Sequence, residues 1–169
     1  MKKKDVHFVK WLTLRPTVVL ILLALILDVS LSLFFQYAIV PWYENSFGPV
    51  GGVHDYNLPL DSLFVLSVFL VPFIETLVFQ LLVIYLLQRF TRFPLWVIVC
   101  VSALLFASIH TYSALYIIFA FLSGLTLAIV FIACQQKRDY FFAFLIVMLI
   151  HAIYNFIAFL LNDVFSVFA

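Results

Sequence analysis

Glu75 is the only charged residue between Ser62 and Gln88, in a stretch that is otherwise apolar. A carboxylate at the centre of a membrane helix costs roughly 2.5–3.5 kcal/mol on insertion scales, so a chain that keeps one there uses it. Two more polar clusters interrupt other apolar stretches: Phe106-Ala-Ser-Ile-His110 and His151-Ala-Ile-Tyr-Asn155. Within each cluster the end residues are four apart, which puts them on one face of a helix. Polar residues in membrane helices face the bundle interior or a water-filled cavity. A Glu, two His and an Asn turned to one interior would make a wet pocket in hydrocarbon. A carboxylate shielded from water is a stronger base than one in water, and can take a proton from a water molecule that attacks a carbonyl. His and Asn can donate hydrogen bonds to the oxyanion that forms. No Ser or Cys stands with a paired base, which argues against an acyl-enzyme. Glu75, His110 and His151 are also a donor set that can hold zinc with one position open. From these residues alone, hydrolysis, ion or proton transport, and plain structural hydrogen bonding all stay open.

The elements that must position them are membrane helices. The chain has 169 residues, of which 67% are hydrophobic and 10% charged; soluble domains run at about 45–50% apolar. Long unbroken apolar runs predict an all-α polytopic membrane protein, a bundle of about five transmembrane helices. The predicted spans are about 16–40, 62–88, 94–110, 114–134 and 140–161, so that 16–169 form a single transmembrane domain. A net charge of +1 argues against nucleic acid as a partner; the lipid bilayer is the evident one. Cys100 and Cys134 both fall in apolar spans and read as membrane-packed thiols.

Residues 1–15 read as a basic amphipathic lead-in lying at the membrane surface, with contact to a lipid or a membrane sensor partner as the sharper option. The apolar run that follows Lys2, Lys3 and Lys4 is too long for a signal peptide and reads as an uncleaved span. Pro41, Trp42 and Tyr43 are expected to end the first span. Inside it, Asp28 reads as a polar tie to a neighbouring helix or as an accessory carboxylate. The long loop from Glu44 to Asp61 carries His54 and Asp55, expected as solvated surface or as part of a lid. Pro72 is expected to kink the second span and free a carbonyl beside Glu75. Ser123 and Gly124 allow close helix approach.

Charge placement orients the bundle. With the N-terminus cytoplasmic and the C-terminus outside, all nine Lys and Arg residues fall on the cytoplasmic side, as the positive-inside rule requires. Counting ~1.5 Å of rise per residue, Glu75 lies ~21 Å from Arg89, His151 ~20 Å from Arg138 and His110 ~24 Å from Pro94. In a hydrocarbon core ~30 Å thick, the three groups sit at similar depth, at the midplane or somewhat outward of it.

The three clusters, in this order and in such stretches, resemble the CPBP family of intramembrane proteases, also called the CAAX-protease and bacteriocin-processing, or Abi, family. Its pattern is E-E-x-x-x-R, then F-x-x-x-H, then H-x-x-x-N or D. The chain offers Glu75-Thr76-Leu77-Val78-Phe79-Gln80, Phe106 to His110, and His151 to Asn155. The resemblance covers about Leu70 to Leu161. It implies an endopeptidase acting on a membrane-associated peptide or leader, such as a bacteriocin or pheromone precursor, in a multi-pass cell-membrane setting; the small size suggests a bacterial plasma membrane. By position, Glu75 would activate the water, His110 would help hold it, and His151 with Asn155 would bind the oxyanion. The family is often called metalloprotease, and a metal-free glutamate mechanism is also proposed for it; Asn155 suits an oxyanion better than zinc. Two positions depart from the pattern. Thr76 stands for the second Glu and Gln80 for the Arg, so both charges are lost together and a neutral pair able to hydrogen-bond is expected, with Phe106 as a further supporting residue. The alternative is a weak or inactive family member serving as a membrane immunity, regulatory or scaffold protein.

Overall fold

The computed structural model describes residues 7–52 and 58–165, the side chains of residues 7 and 8 excepted. Lys2, Lys3, Lys4, His54 and Asp55 lie outside the described residues. The described residues are mostly helical, with no strand among them. A short helix, α1 (His7–Thr13), precedes α2 (Thr17–Phe47), α3 (Leu60–Phe90), α4 (Leu95–Ser108), α5 (Ala114–Lys137) and α6 (Tyr140–Val164). Of these, α2, α3, α5 and α6 are long and apolar enough to cross a membrane. The protein is a multi-pass membrane protein. The third expected span, α4, has only 14 residues, or ~21 Å of helix.

The central element is α5. More than half of its apolar window is buried, against less than a third for the other three long helices. It packs on α1, α2, α4 and α6. Its inward residues are small or compact: Ala120, Ser123, Gly124, Thr126 and Ala128 among Leu127, Phe131 and Ile132. Without a hydrophobic drive between helices in lipid, such residues gain contact by letting backbones approach. The lead-in helix α1 does more than lie on a surface. Val9 and Leu12 are buried in the same cluster as the inner residues of α5, and the Arg15 guanidinium stacks 4.1 Å from the Trp11 ring. Ser113 and Asp139 cap the two central helices: Ser113 Oγ accepts from the Tyr116 N–H at 3.1 Å, and Asp139 Oδ1 from the Phe142 N–H at 2.7 Å.

Two prolines lie inside helices, and each follows a π turn. In α2 the turn spans Phe35–Ile39, and in α3 it spans Leu66–Leu70. A π turn shifts the hydrogen bonds from four residues to five, so the Val40 N–H reaches the Phe35 carbonyl and the Val71 N–H reaches the Leu66 carbonyl. Pro41 and Pro72 come next, with no N–H to place. The helix absorbs each proline in this way and continues. That is why α2 runs on to Phe47 instead of ending at Pro41 as expected from sequence.

One end of the bundle gathers the basic residues. Lys137 Nζ donates to the Arg15 carbonyl at 2.6 Å, and the Tyr140 hydroxyl donates to Gln88 Oε1 at 2.7 Å. The start of α2, the end of α3, the end of α5 and the start of α6 therefore meet there, with Arg89, Arg92 and Arg138 beside them.

Gly124 marks a close approach of α5 to α4. A Cβ there would lie 3.0 Å from Phe106 Cδ1 and 3.2 Å from the Ala103 Cα. The second is backbone and cannot swing aside. Overpacking of this kind costs about 1–3 kcal/mol. Gly124→Val is expected to lower the thermal unfolding midpoint of the detergent-solubilised protein, with Gly124→Ala intermediate; an unchanged midpoint for both would show that α4 and α5 are not in this contact.

Candidate functional site

The three sequence clusters meet. Glu75 comes from the middle of α3, His110 from the turn after α4, and His151 and Asn155 from α6. His110 Nε2 stands 3.7 Å from Glu75 Oε1, and His151 Nε2 stands 3.6 Å from Glu75 Oε2. Glu75 and His151 are only 8% and 6% exposed, so the carboxylate faces the protein interior and not the lipid.

Those two separations are diagnostic. They exceed the ~2.7–3.2 Å of a direct hydrogen bond, and Glu75 Oε2 has no hydrogen-bond partner. The reason can be read at His110. Its Nδ1 lies 2.8 Å from the Phe106 carbonyl, which can only accept, so Nδ1 carries the hydrogen. In the neutral ring Nε2 then presents a lone pair to a carboxylate oxygen. Opposite an ionised carboxylate two acceptors then face each other 3.7 Å apart, too close for an atom between them but open to one donor placed to the side that reaches both. A water molecule, with two hydrogens to give, meets that need.

Phe106 spaces the two imidazoles. It is buried, with its ring 4.7 Å from that of His110 and 5.8 Å from that of His151. Gly124 presses on it from behind, and Phe79 meets it edge-on at 6.0 Å. On the far side of His110, Tyr116 lies nearly parallel to the imidazole, at 5.9 Å and 13°. His110 is thus held between two rings with its hydrogen fixed on a backbone carbonyl.

Asn155 is used in a way the sequence did not suggest. The Ser67 carbonyl would accept from the Val71 N–H in an α-helix, but that N–H goes to Leu66. In the π register its donor would be residue 72, which is proline. The carbonyl is orphaned either way, and Asn155 Nδ2 donates to it at 2.8 Å. The carbonyl freed by Pro72 is therefore more than two turns ahead of Glu75, not beside it, and a side chain of α6 satisfies it. This bond ties α3 to α6, the two helices that carry Glu75 and His151. Asn155 also lines the cavity described below, and its amide has a second hydrogen to offer.

The neutral pair expected from Thr76 and Gln80 does not form. Both are fully buried, but Thr76 Oγ1 sits 3.5 Å from His151 Nδ1, while both amide atoms of Gln80 lack a hydrogen-bond partner. Thr76 thus turns to the imidazole and leaves Gln80 alone. Asp28 is also fully buried. It faces α5 beside Ser123 and Thr126, with neither carboxylate oxygen in hydrogen-bond geometry. It does not line the cavity at Glu75.

A cavity of about 740 Å³ opens from these groups. Glu75, Phe106, His110, His151 and Asn155 all line it, as do Tyr116 and Tyr154. Neither tyrosine stood out in the sequence, although Tyr154 lies next to Asn155 and Tyr116 opens α5 one helical turn after its cap.

The sequence profile described as type II CAAX prenyl endopeptidase Rce1-like matches residues 59–157. The chain belongs to that family. No curated protein and no solved structure matches it. The segment shared with the Rce1-like endopeptidases runs from the start of α3 into the last turns of α6, and holds every residue of the cluster. The family is one of proteases. The donors are of the kinds that hold zinc in hydrolases. In this arrangement each carboxylate oxygen faces a different imidazole, and among the described residues no three His, Cys, Asp or Glu side chains form a ready metal-binding group.

Removing the Asn155 donor should leave the Ser67 carbonyl unpartnered, at a cost of about 1–3 kcal/mol. Asn155→Leu is expected to melt earlier in detergent by that amount. Spin labels on α3 and α6 should also show a broader distance distribution. A variant as stable and as narrowly distributed as the parent would remove the tie.

Proposed function

We propose that the chain is an intramembrane endopeptidase that hydrolyses a peptide bond with a water molecule activated by Glu75. What supports this most is the facing pair of acceptors, Glu75 Oε1 and His110 Nε2, 3.7 Å apart with the His110 hydrogen fixed elsewhere. Such a pair binds a water by both its hydrogens and turns its lone pairs outward, toward the cavity.

In the reaction the water oxygen bonds to the substrate carbonyl carbon, and its proton passes to Glu75. The carbonyl π electrons move to oxygen, giving a tetrahedral oxyanion. His151 and the second amide hydrogen of Asn155 stabilise that charge. The oxyanion then collapses, the C–N bond breaks, and Glu75 returns the proton to the leaving amine. The partly buried, low-dielectric setting strengthens these interactions relative to water. Glu75, His110 and His151 are the residues that would hold zinc if the protein takes it up, and the ion would supply Lewis-acid polarisation of the water.

A second reading is a family member that binds peptide without cutting it. It draws on the altered support, where Gln80 is buried with both amide atoms unpartnered at the position of the motif's Arg. Burying neutral groups in place of an ion pair avoids stranding a charge, so the loss is one of support and not of the reacting groups.

Glu75→Gln keeps the side-chain shape and removes the base. It is expected to lower single-turnover cleavage of a membrane peptide by about 10²–10⁴-fold, with the protein still accumulating in the membrane. His110→Ala should do the same. Cleavage that survives Glu75→Gln would sink the base assignment, and a parent that binds but never cuts would favour the second reading. Removal of divalent ions with a chelator, followed by zinc addition, separates a metal requirement from the metal-free route.

A further inference from the structure

We infer that Thr76 is a positioning residue for His151: its hydroxyl donates to His151 Nδ1, so the imidazole carries its one hydrogen on Nε2 and offers it to the site. This role deepens the proposed hydrolysis, and rests on that reading in taking Glu75 as an ionised base.

Thr76 is fully buried, so its hydroxyl cannot turn to bulk solvent. Hydroxyls inside helices commonly bond a carbonyl one turn back. Ser67 does so to Leu63 at 2.7 Å, and Thr91 to Leu87 at 2.6 Å. Thr76 makes no such bond; its Oγ1 has one hydrogen-bond partner among the described residues, His151 Nδ1 at 3.5 Å. A neutral imidazole has one donor nitrogen and one acceptor nitrogen, so two arrangements are open. With the ring hydrogen on Nδ1, the buried threonine hydrogen has no acceptor, and the Nε2 lone pair faces Glu75 Oε2 at 3.6 Å. With threonine donating, its hydrogen goes to the Nδ1 lone pair, and an N–H faces the carboxylate instead. The second arrangement leaves no buried donor stranded and sets no acceptor against another. A contact of 3.5 Å is weak as a tether, and the ring is held by burial and by Phe106, edge-on at 5.8 Å. What the hydroxyl decides is which nitrogen keeps the hydrogen.

The two imidazoles are then opposite tautomers. His110 keeps its hydrogen on Nδ1, against the Phe106 carbonyl, and shows the site a lone pair. His151 shows it a hydrogen. Glu75 is divided accordingly. Oε1, across from the lone pair, is the oxygen open to take a proton from water. Oε2 lies 3.6 Å from His151 Nε2, beyond a direct hydrogen bond and without a partner. The His151 hydrogen is therefore not given over to the carboxylate. It stays available to an oxyanion forming in the cavity that His151 lines, where a donor already in place stabilises the charge as it develops. The hydroxyl that sets this is the chain's own departure from the family pattern. An ionised Glu at residue 76 could only accept, whereas threonine brings a hydrogen.

Histidine nitrogen-15 NMR of the full chain in lipid nanodiscs reads the tautomers directly, at a mildly alkaline pH where imidazole is neutral. A ring nitrogen that bears hydrogen and one that does not resonate far apart. The signals are assigned by their loss in His110→Ala and His151→Ala. His151 should carry its hydrogen on Nε2, and His110 on Nδ1. Thr76→Val keeps the side-chain shape and removes the hydroxyl. It should shift the His151 Nδ1 signal and lower single-turnover peptide cleavage roughly fivefold to tenfold, with peptide affinity unchanged. Thr76→Ser should restore both. A hydrogen on His151 Nδ1 in the parent overturns the role, whether or not Thr76→Val accumulates. So does a Thr76→Val protein with the parent's spectrum, or a Thr76→Ser protein as altered as Thr76→Val. A parent that shows these tautomers and never cuts a peptide removes the protease reading and leaves the bond from Thr76 to His151 standing.

Discussion

Pro72 has no hydrogen on its nitrogen, and the site depends on how the chain deals with that. The π turn before it hands the Val71 N–H to Leu66, leaving the Ser67 carbonyl with no donor in either helical register. In hydrocarbon an orphaned carbonyl cannot turn to bulk water. It needs a side chain, and Asn155 supplies one from α6. The need created in α3 fixes its register against the helix that carries His151. Glu75 lies three residues after the proline, on the segment whose position that bond controls. A local backbone deficit thus becomes a long-range restraint on the distance between base and imidazole.

A second restraint comes from the opposite side. Phe106 can reach both imidazoles because α4 lies close on α5, and that approach depends on Gly124 having no Cβ. Phe106 also supplies the carbonyl that fixes the His110 hydrogen. One residue therefore decides both where His110 stands and which of its nitrogens has a lone pair. The F-x-x-x-H spacing acquires a physical meaning in this way: the carbonyl one helical turn back selects the tautomer, and the ring sets the separation.

Much of this was legible from residue types. Charges in an apolar chain are expensive, so Glu75 announced itself, and the two polar clusters did so by interrupting otherwise apolar runs. The basic residues marked helix ends, which kept the starts and ends of α3, α5 and α6 within a few residues of expectation. The misses share a cause. Helical spacing assumes four-residue bonding throughout, and π turns break that assumption. Proline breaks α-helices, so the sequence predicts a span end at Pro41; a π turn before it lets the helix pass. The carbonyl freed by Pro72 was placed too near Glu75 for the same reason. Thr76 and Gln80 share a face on paper, but a buried imidazole competes for the threonine hydroxyl, and only the fold reveals the competitor. Tyr116 and Tyr154 gave no signal, since aromatic residues are common in every span of this chain.

The short helix α4 has a consequence for the lipid. Its 14 residues make a rod of ~21 Å, about 10 Å less than an average hydrocarbon layer. Acyl chains beside a stunted rod must shorten or tilt to meet it, and the bilayer dimples. The His110 turn closes one end of that rod, and thinning at that end would bring water and headgroups nearer the imidazole and leave a peptide at the interface less oil to cross.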